Sequence, residues 1–204
     1  MRPPEPRFES ANGQPFHVVA LAASAGGLEA LSEVLHSLPT EFPLPILIVQ
    51  HLAPQRVSHL AEILGRRTGL RVKQAEDHEG LTVGTVYIAP PDRHLTVDDE
   101  GRVALTSDPR VHFVRPSADT LFASLVACFQ GNVLAVVLSG SGVDGAEGAA
   151  AVRRRGGAVI VQDQNTARSC GMPNAAMEAG CIERVLPLRD IAAAILSLVK
   201  ERAA

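Results

Sequence analysis

Apolar residues along the chain follow two spacings. Short unbroken runs at 17–23, 45–50, 132–138 and 158–162 read as strands buried on both faces. Between them lie segments with apolar residues three or four apart, the helical spacing. Leu28, Leu31, Val34, Leu35 and Leu38 define one helix, which opens at Gly26-Gly27 and is ended by Pro39. Val57, Leu60, Ile63 and Leu64 define a second over 57–66, and Val72 marks a short strand after it. Ser117 is placed as an N-cap for a helix over 117–129, with Leu121, Phe122, Leu125 and Val126 inward. Further helices are predicted over 145–155, over 173–180 with Pro173 at its start, and over 188–202, with a strand at 182–186.

Residues 84–106 break this rhythm. The stretches 85–89, 94–97 and 102–105 are short strands, and Asp98-Asp99-Glu100-Gly101 is a turn suited to a hairpin. Strands alternating with helices give an α/β fold with a doubly wound, mostly parallel sheet. The hairpin is an antiparallel insertion in it. Residues 1–15, rich in proline and charge, are expected to be a mobile tail, and 16–204 a single domain without repeat or linker.

Composition narrows the classes. Apolar residues form 46% of the 204 and aromatic ones only 3%, so the core is aliphatic. The low aromatic count argues against a binder of single-stranded nucleic acid, which needs stacking platforms, and a net charge of −3 suggests no footprint for duplex DNA. Arg153-Arg154-Arg155 is expected to be a solvated helix end, where cations suit the helix dipole. No apolar run approaches the ~20 residues of a membrane span, and no signal-peptide pattern opens the chain. Membrane insertion is therefore not expected. Cys128, Cys170 and Cys181 lack metal-ligand spacing, and their sparse, odd number fits a reducing cytoplasm. Cys128 belongs to a helix core; Cys170 lies in a loop with no histidine close in sequence.

Three polar residues stand just past apolar runs: Ser24 after 17–23, His51 after 45–50, and Asp144 a Gly-rich turn after 132–138. In an open parallel sheet the crevice beyond the carboxyl ends of the strands is where ligands bind. A hydroxyl, an imidazole and a carboxylate at that edge are a nucleophile, its base and the group that orients the base. The turn Ala22-Ala23-Ser24-Ala25-Gly26-Gly27 is a relaxed nucleophile elbow, with small residues two positions either side of Ser24. The N–H groups of Ala25, Gly26 and Gly27 then fall at a helix N-terminus, where unpaired donors favour an oxyanion.

Other readings of the single pieces stay open. A Gly-rich turn after a first strand also begins dinucleotide sites, although the G-x-G-x-x-G spacing is missing and His51 stands where an acid is expected. Ser24 and Asp144 are equally suited to capping helices, and His51 to a hydrogen-bonded rim. The order Ser, His, Asp differs from that of the α/β-hydrolases.

Taken together, the motifs resemble the chemotaxis protein-glutamate methylesterase family, specifically its CheB-type catalytic domain. The resemblance rests on Ala22-Ala23-Ser24-Ala25-Gly26-Gly27, Val49-Gln50-His51, and Leu138-Ser139-Gly140-Ser141-Gly142-Val143-Asp144-Gly145. It also rests on Tyr87 to His94, Arg115-Pro116-Ser117-Ala118-Asp119, and Gly171 to Ala176. They occur in the family's order across about 18 to 186. The resemblance implies a serine hydrolase that removes methyl esters from glutamate side chains of chemoreceptor-like proteins and deamidates glutamines there. Ser24 falls on the family's nucleophile, His51 on its general base and Asp144 on its orienting acid. The residue at Ser141 contributes a backbone donor near the reacting carbonyl, beside Ala25 and Gly26. No metal or other cofactor is implied.

Two positions depart from the family: Ala25 stands where threonine is frequent and Ser141 where methionine is frequent. Fewer than about 18 residues precede the first strand, too few for the receiver domain many members carry, so phosphorylation control within this chain is not expected. Arg93, His94 and Arg115, with Arg56 and His112, are candidates for recognising an acidic receptor helix; the alternative for each is an ordinary salt bridge or loop hydrogen bond. Asp92 and Asp119 are read as turn and first-turn residues. A rival from another class is an inactive scaffold of the same fold that binds a receptor or a methyltransferase.

Overall fold

The computed structural model describes residues 15–52, 58–180 and 182–203. Apart from Pro15, the expected tail lies outside them, as do Arg56, Val57 and Cys181. The first strand, β1 (Val18–Ala23), is followed by α1 (Gly27–His36), β2 (Ile46–Gln50), α2 (Leu60–Gly65) and β3 (Arg71–Gln74). Next come β4 (Thr85–Ile88), β5 (His94–Val97), β6 (Val103–Thr106), α3 (Ala118–Phe129) and β7 (Val133–Val137). The chain closes through α4 (Ala146–Arg154), β8 (Ala158–Gln162), α5 (Gly171–Glu178), β9 (Arg184–Leu186) and α6 (Leu188–Ala203).

Seven strands form one sheet in the order β3-β4-β2-β1-β7-β8-β9. Every neighbouring pair in it is parallel. The first of the three short runs in 84–106 thus belongs to the main sheet as β4. The other two pair only with each other, antiparallel, as a separate small sheet. Its turn forms as the sequence suggests: Asp98 Oδ1 accepts from the N–H groups of Glu100 and Arg102 at 3.0 and 2.9 Å.

β1 lies at the topological switch, with β2 on one side and β7 on the other. All six of its residues are buried. Strand alternation sends Val19, Leu21 and Ala23 into one core with Leu31 of α1 and Ile195 of α6, while Val18, Ala20 and Ala22 face Phe122 of α3 and Val152 of α4. This two-sided burial is why the strand run is apolar throughout. At the end of α4, Arg153 is tied to Gly157 O and to Glu183, at 2.8 and 2.7 Å, rather than simply solvated.

Several boundaries differ from the sequence-based expectation. Helix α2 begins at Leu60, β9 begins at Arg184, and α5 runs from Gly171, two residues before Pro173, to Glu178. A proline in the first turn is tolerated because the first N–H groups of a helix have no partner within it.

Candidate catalytic site

Ser24 and His51 are set side by side by sheet register. β1 and β2 pair in parallel with Ala23 opposite Gln50, so each candidate is the first residue beyond the same rung. The His51 N–H donates to Ala23 O at 3.0 Å, continuing the ladder one step further. Adjacent strands lie about 4.8 Å apart, so both side chains start within reach of one another. β7 flanks β1 on the side away from β2, and the Gly-rich loop after it crosses the end of β1 to reach His51.

That loop brings Asp144 and His51 together. His51 Nε2 lies 2.8 Å from Asp144 Oδ2, with both side chains nearly buried. The N-terminus of α3 completes the carboxylate's surroundings. Ala118 N–H donates to Oδ2 at 2.6 Å, while the Ser117 hydroxyl and the Asp119 N–H donate to Oδ1 at 2.6 and 3.3 Å. Burial pushes the Asp144 carboxyl up, but hydrogen bonds from His51, Ser117 and Ala118 outweigh it and hold the group below its ordinary value of 3.8. An ionised acid is thus held against the imidazole. With Nε2 committed to Asp144, Nδ1 is the ring nitrogen left for a nucleophile. The Ser24 hydroxyl itself makes no hydrogen bond to His51 or Asp144 among the described residues.

The turn that carries Ser24 is pinned from several sides. Ser24 N–H donates to Ser139 O at 3.0 Å, and the Ser139 hydroxyl donates to Ala25 O at 2.7 Å. Gly26, with φ at 81°, caps α1 by its backbone, so Ser24 does not serve as the side-chain cap. Gly27 N–H is used by Ser24 O at 2.9 Å, whereas Ala25, Gly26 and Ser141 keep N–H groups without a partner among the described residues. Gly140 passes directly over Ser24: a Cβ there would come within 3.0 Å of Ser24 Cβ and would collide with Met172 Sδ.

Two positioning residues escaped the sequence reading. The buried Gln50 amide donates to both Ser24 O and His51 O, at 2.8 and 3.1 Å, and so joins the backbones of the two candidates. A polar residue closing an apolar run was the available signal. The sequence suggests Ser117, part of the Arg115–Asp119 motif, as a cap. It fills that role, accepting from Thr120 N–H at 3.3 Å, but its hydroxyl proton goes to Asp144.

The weaker candidates separate. His94 is corrected: it is fully buried, its Nε2 3.2 Å from Pro109 O and its Nδ1 accepting from Ser117 N–H at 3.2 Å, so no ring atom remains for a substrate. It helps fix the start of α3 instead. Arg115 is held by Asp92 through Nε and Nη2 at 3.1 and 2.8 Å and by two carbonyl oxygens, of Ser107 and Asp108, through Nη1. Arg93 is exposed. His112 Nε2 stands 3.3 Å from Asp119 Oδ2 without the alignment of a hydrogen bond. A small cleft of about 70 Å³ opens beside His51, bordered by Leu52, Arg110, Phe113, Arg115 and Pro116.

Fold and site define a doubly wound parallel α/β domain with a serine, a histidine and an aspartate gathered at the carboxyl edge of its central strands. The family model described as CheB methylesterase matches residues 19–195, and the chain belongs to that family. It is 41% identical over 197 residues to protein-glutamate methylesterase FrzG of Myxococcus xanthus, covering 97% of this chain and 59% of that one. A protein-glutamate methylesterase/protein-glutamine glutaminase of Rhizobium meliloti is 40% identical over 188 residues, 92% of this chain and 53% of its own length. The chain thus spans little more than half of these two relatives. A putative member from Leptospira interrogans is 35% identical over 183 residues and covered to 95%. Among solved structures, the Thermotoga maritima CheB methylesterase catalytic domain superposes with a TM-score of 0.86 at 36% identity, over 90% of this chain and 99% of that one.

Proposed function

We propose that the chain is a serine hydrolase that removes methyl esters from glutamate side chains of chemoreceptor-like proteins. The 2.8 Å contact between His51 and Asp144, at the end of the strand that neighbours Ser24's, carries this reading within a family of methylesterases. In the proposed reaction Ser24 Oγ attacks the ester carbonyl and His51 Nδ1 takes its proton. The tetrahedral oxyanion meets the free N–H groups of Ala25, Gly26 and Ser141. His51 then protonates departing methanol, and a water activated by the same ring releases the glutamate. Asp144 holds the ring in the right tautomer and stabilises the imidazolium. Attack on a side-chain amide would follow the same course with ammonia leaving, which agrees with relatives named as glutaminases. Arg93 is proposed as a surface contact for an acidic receptor segment.

The test is methanol release from a methylated receptor fragment. Ser24→Ala and His51→Ala should each lower the rate by roughly 10⁶-fold, about 8 kcal/mol of transition-state stabilisation. Equal rates for wild type and Ser24→Ala would overturn the reading.

A further inference from the structure

Among the described residues four large apolar side chains are well exposed, and two of them belong to the site's own loops. Phe113 is 94% exposed and borders the cleft beside His51; Val143 is 51% exposed and immediately precedes Asp144. Nothing in the fold uses the Phe113 ring. Yet the turn that presents it is built with care. Val111 and Val114 exchange backbone hydrogen bonds at 3.2 and 2.9 Å. Between them, His112 and Phe113 both take positive φ, 48° and 65°, a region sparsely occupied by residues other than glycine. Strained backbone of this kind persists only where the surroundings hold it. Here the residue that follows the turn does so: Arg115 is clamped to Asp92 and two carbonyls.

Taking the proposed esterase activity as given, we infer that Phe113 is a specificity-determining residue, which packs on an apolar side chain of the substrate one helical turn from the methylated glutamate. The occupant follows from position. A glutamate ester reaching Ser24 and His51 brings its own helix to the rim of the cleft. Residues three or four positions along that helix lie about 5–6 Å from it on the same face. Phe113 stands at that rim, and Val143 supplies a second apolar contact on the loop carrying Asp144. Arg110, half-exposed and 3.5 Å from Asp92, adds a cation at the same border, matched to an acidic neighbour on the substrate.

The experiment compares two substrates, a methylated receptor fragment and a short N-acetylated glutamate methyl ester, with wild type, Phe113→Ala and Val83→Ala. Val83 is 63% exposed but lies before β4, at the opposite edge of the sheet from Ser24. For Phe113→Ala the ratio of kcat/KM on the receptor to kcat/KM on the small ester should fall about tenfold or more, mainly through KM on the receptor, a factor that partial burial of an aromatic ring supplies. Phe113→Leu should recover part of it, and Val83→Ala should keep the wild-type ratio. An unchanged ratio in Phe113→Ala, whether from no loss or from equal loss on both substrates, overturns the inference while leaving the esterase reading intact. Wild type inactive on both substrates overturns the two together.

Discussion

His51 Nε2 and Asp144 Oδ2 stand 2.8 Å apart across 93 residues of sequence. The aspartate is positioned by α3, whose first N–H groups and Ser117 hydroxyl fix the carboxylate before it meets the ring. The carboxylate is thereby rigidly placed, as the orienting role proposed for it requires. Asp144→Asn keeps the shape but offers an amide that favours the wrong imidazole tautomer. The expected loss in kcat is on the order of 10⁴-fold, smaller than that for Ser24 or His51. Steady-state methanol release checks it, and a loss below tenfold would remove Asp144 from the proposed mechanism.

Gln50 links the two strand ends at the carbonyls of Ser24 and His51. Gln50→Leu fills similar space without donors and leaves the partly buried His51 O without this partner, while Ser24 O keeps only the Gly27 N–H. Stability should fall by about 1–3 kcal/mol. If the amide also holds the two residues in register for proton transfer, kcat should drop while KM stays within about twofold, since a misplacement of about 1 Å is enough to slow chemistry. Urea unfolding and steady-state kinetics separate the two effects. Full kcat in a destabilised variant would reduce Gln50 to a structural tie.

The sheet and its polar edge were legible because β1, β2 and β7 are buried on both faces, so that Ser24 and His51 stand out just past two apolar runs and Asp144 a Gly-rich turn past a third. The place of β4 was harder to read. Thr85–Ile88 has a strand's composition, but whether it joins the parallel sheet or the hairpin depends on pairing with Ile46–Ile48, a long-range fact. His94 misled for a related reason: polar residues near strand ends are usually at the rim, but this one is enclosed by the start of α3 and by Pro109. Ser117 was legible as a cap through its own helix. Its bond to Asp144, 27 residues away, depends on how α3 meets the loop after β7.

Gly140 is required where the loop crosses Ser24, the proposed nucleophile. Gly140→Ala places a methyl group 3.0 Å from Ser24 Cβ and against Met172 Sδ. Met172 is fully buried, so the strain cannot be relieved by turning the thioether into solvent. The expected cost is about 1–3 kcal/mol of stability. The same shift moves the Ser141 N–H, next in the loop, and kcat should fall with it. A variant with wild-type melting temperature and wild-type kcat would show that the loop is looser than its contacts indicate.

Asp144 and Asp119 are neighbours with opposite responses to acid. Asp144 is held below its ordinary value of 3.8 because its donors outweigh burial. Its contribution to stability is therefore present above 3.8 and is lost as the pH falls through the lower folded value. Asp119 is pushed above the same ordinary value, first by burial and further by the charge of Asp144, against the opposing N–H of Gly148. The folded protein keeps that proton longer than the unfolded chain, so this group subtracts stability as the pH rises from 3.8 through the raised value. Melting temperatures from about pH 7 to about pH 3 should separate the two. The gap between wild type and Asp144→Asn should hold from neutrality down to about 3.8 and narrow below it. Asp119→Asn, whose carbonyl can still accept from Gly148 N–H, should gain on wild type as the pH rises. An Asp144→Asn curve that stays parallel to wild type through the acid range would mean that the carboxylate is not held ionised by its donors.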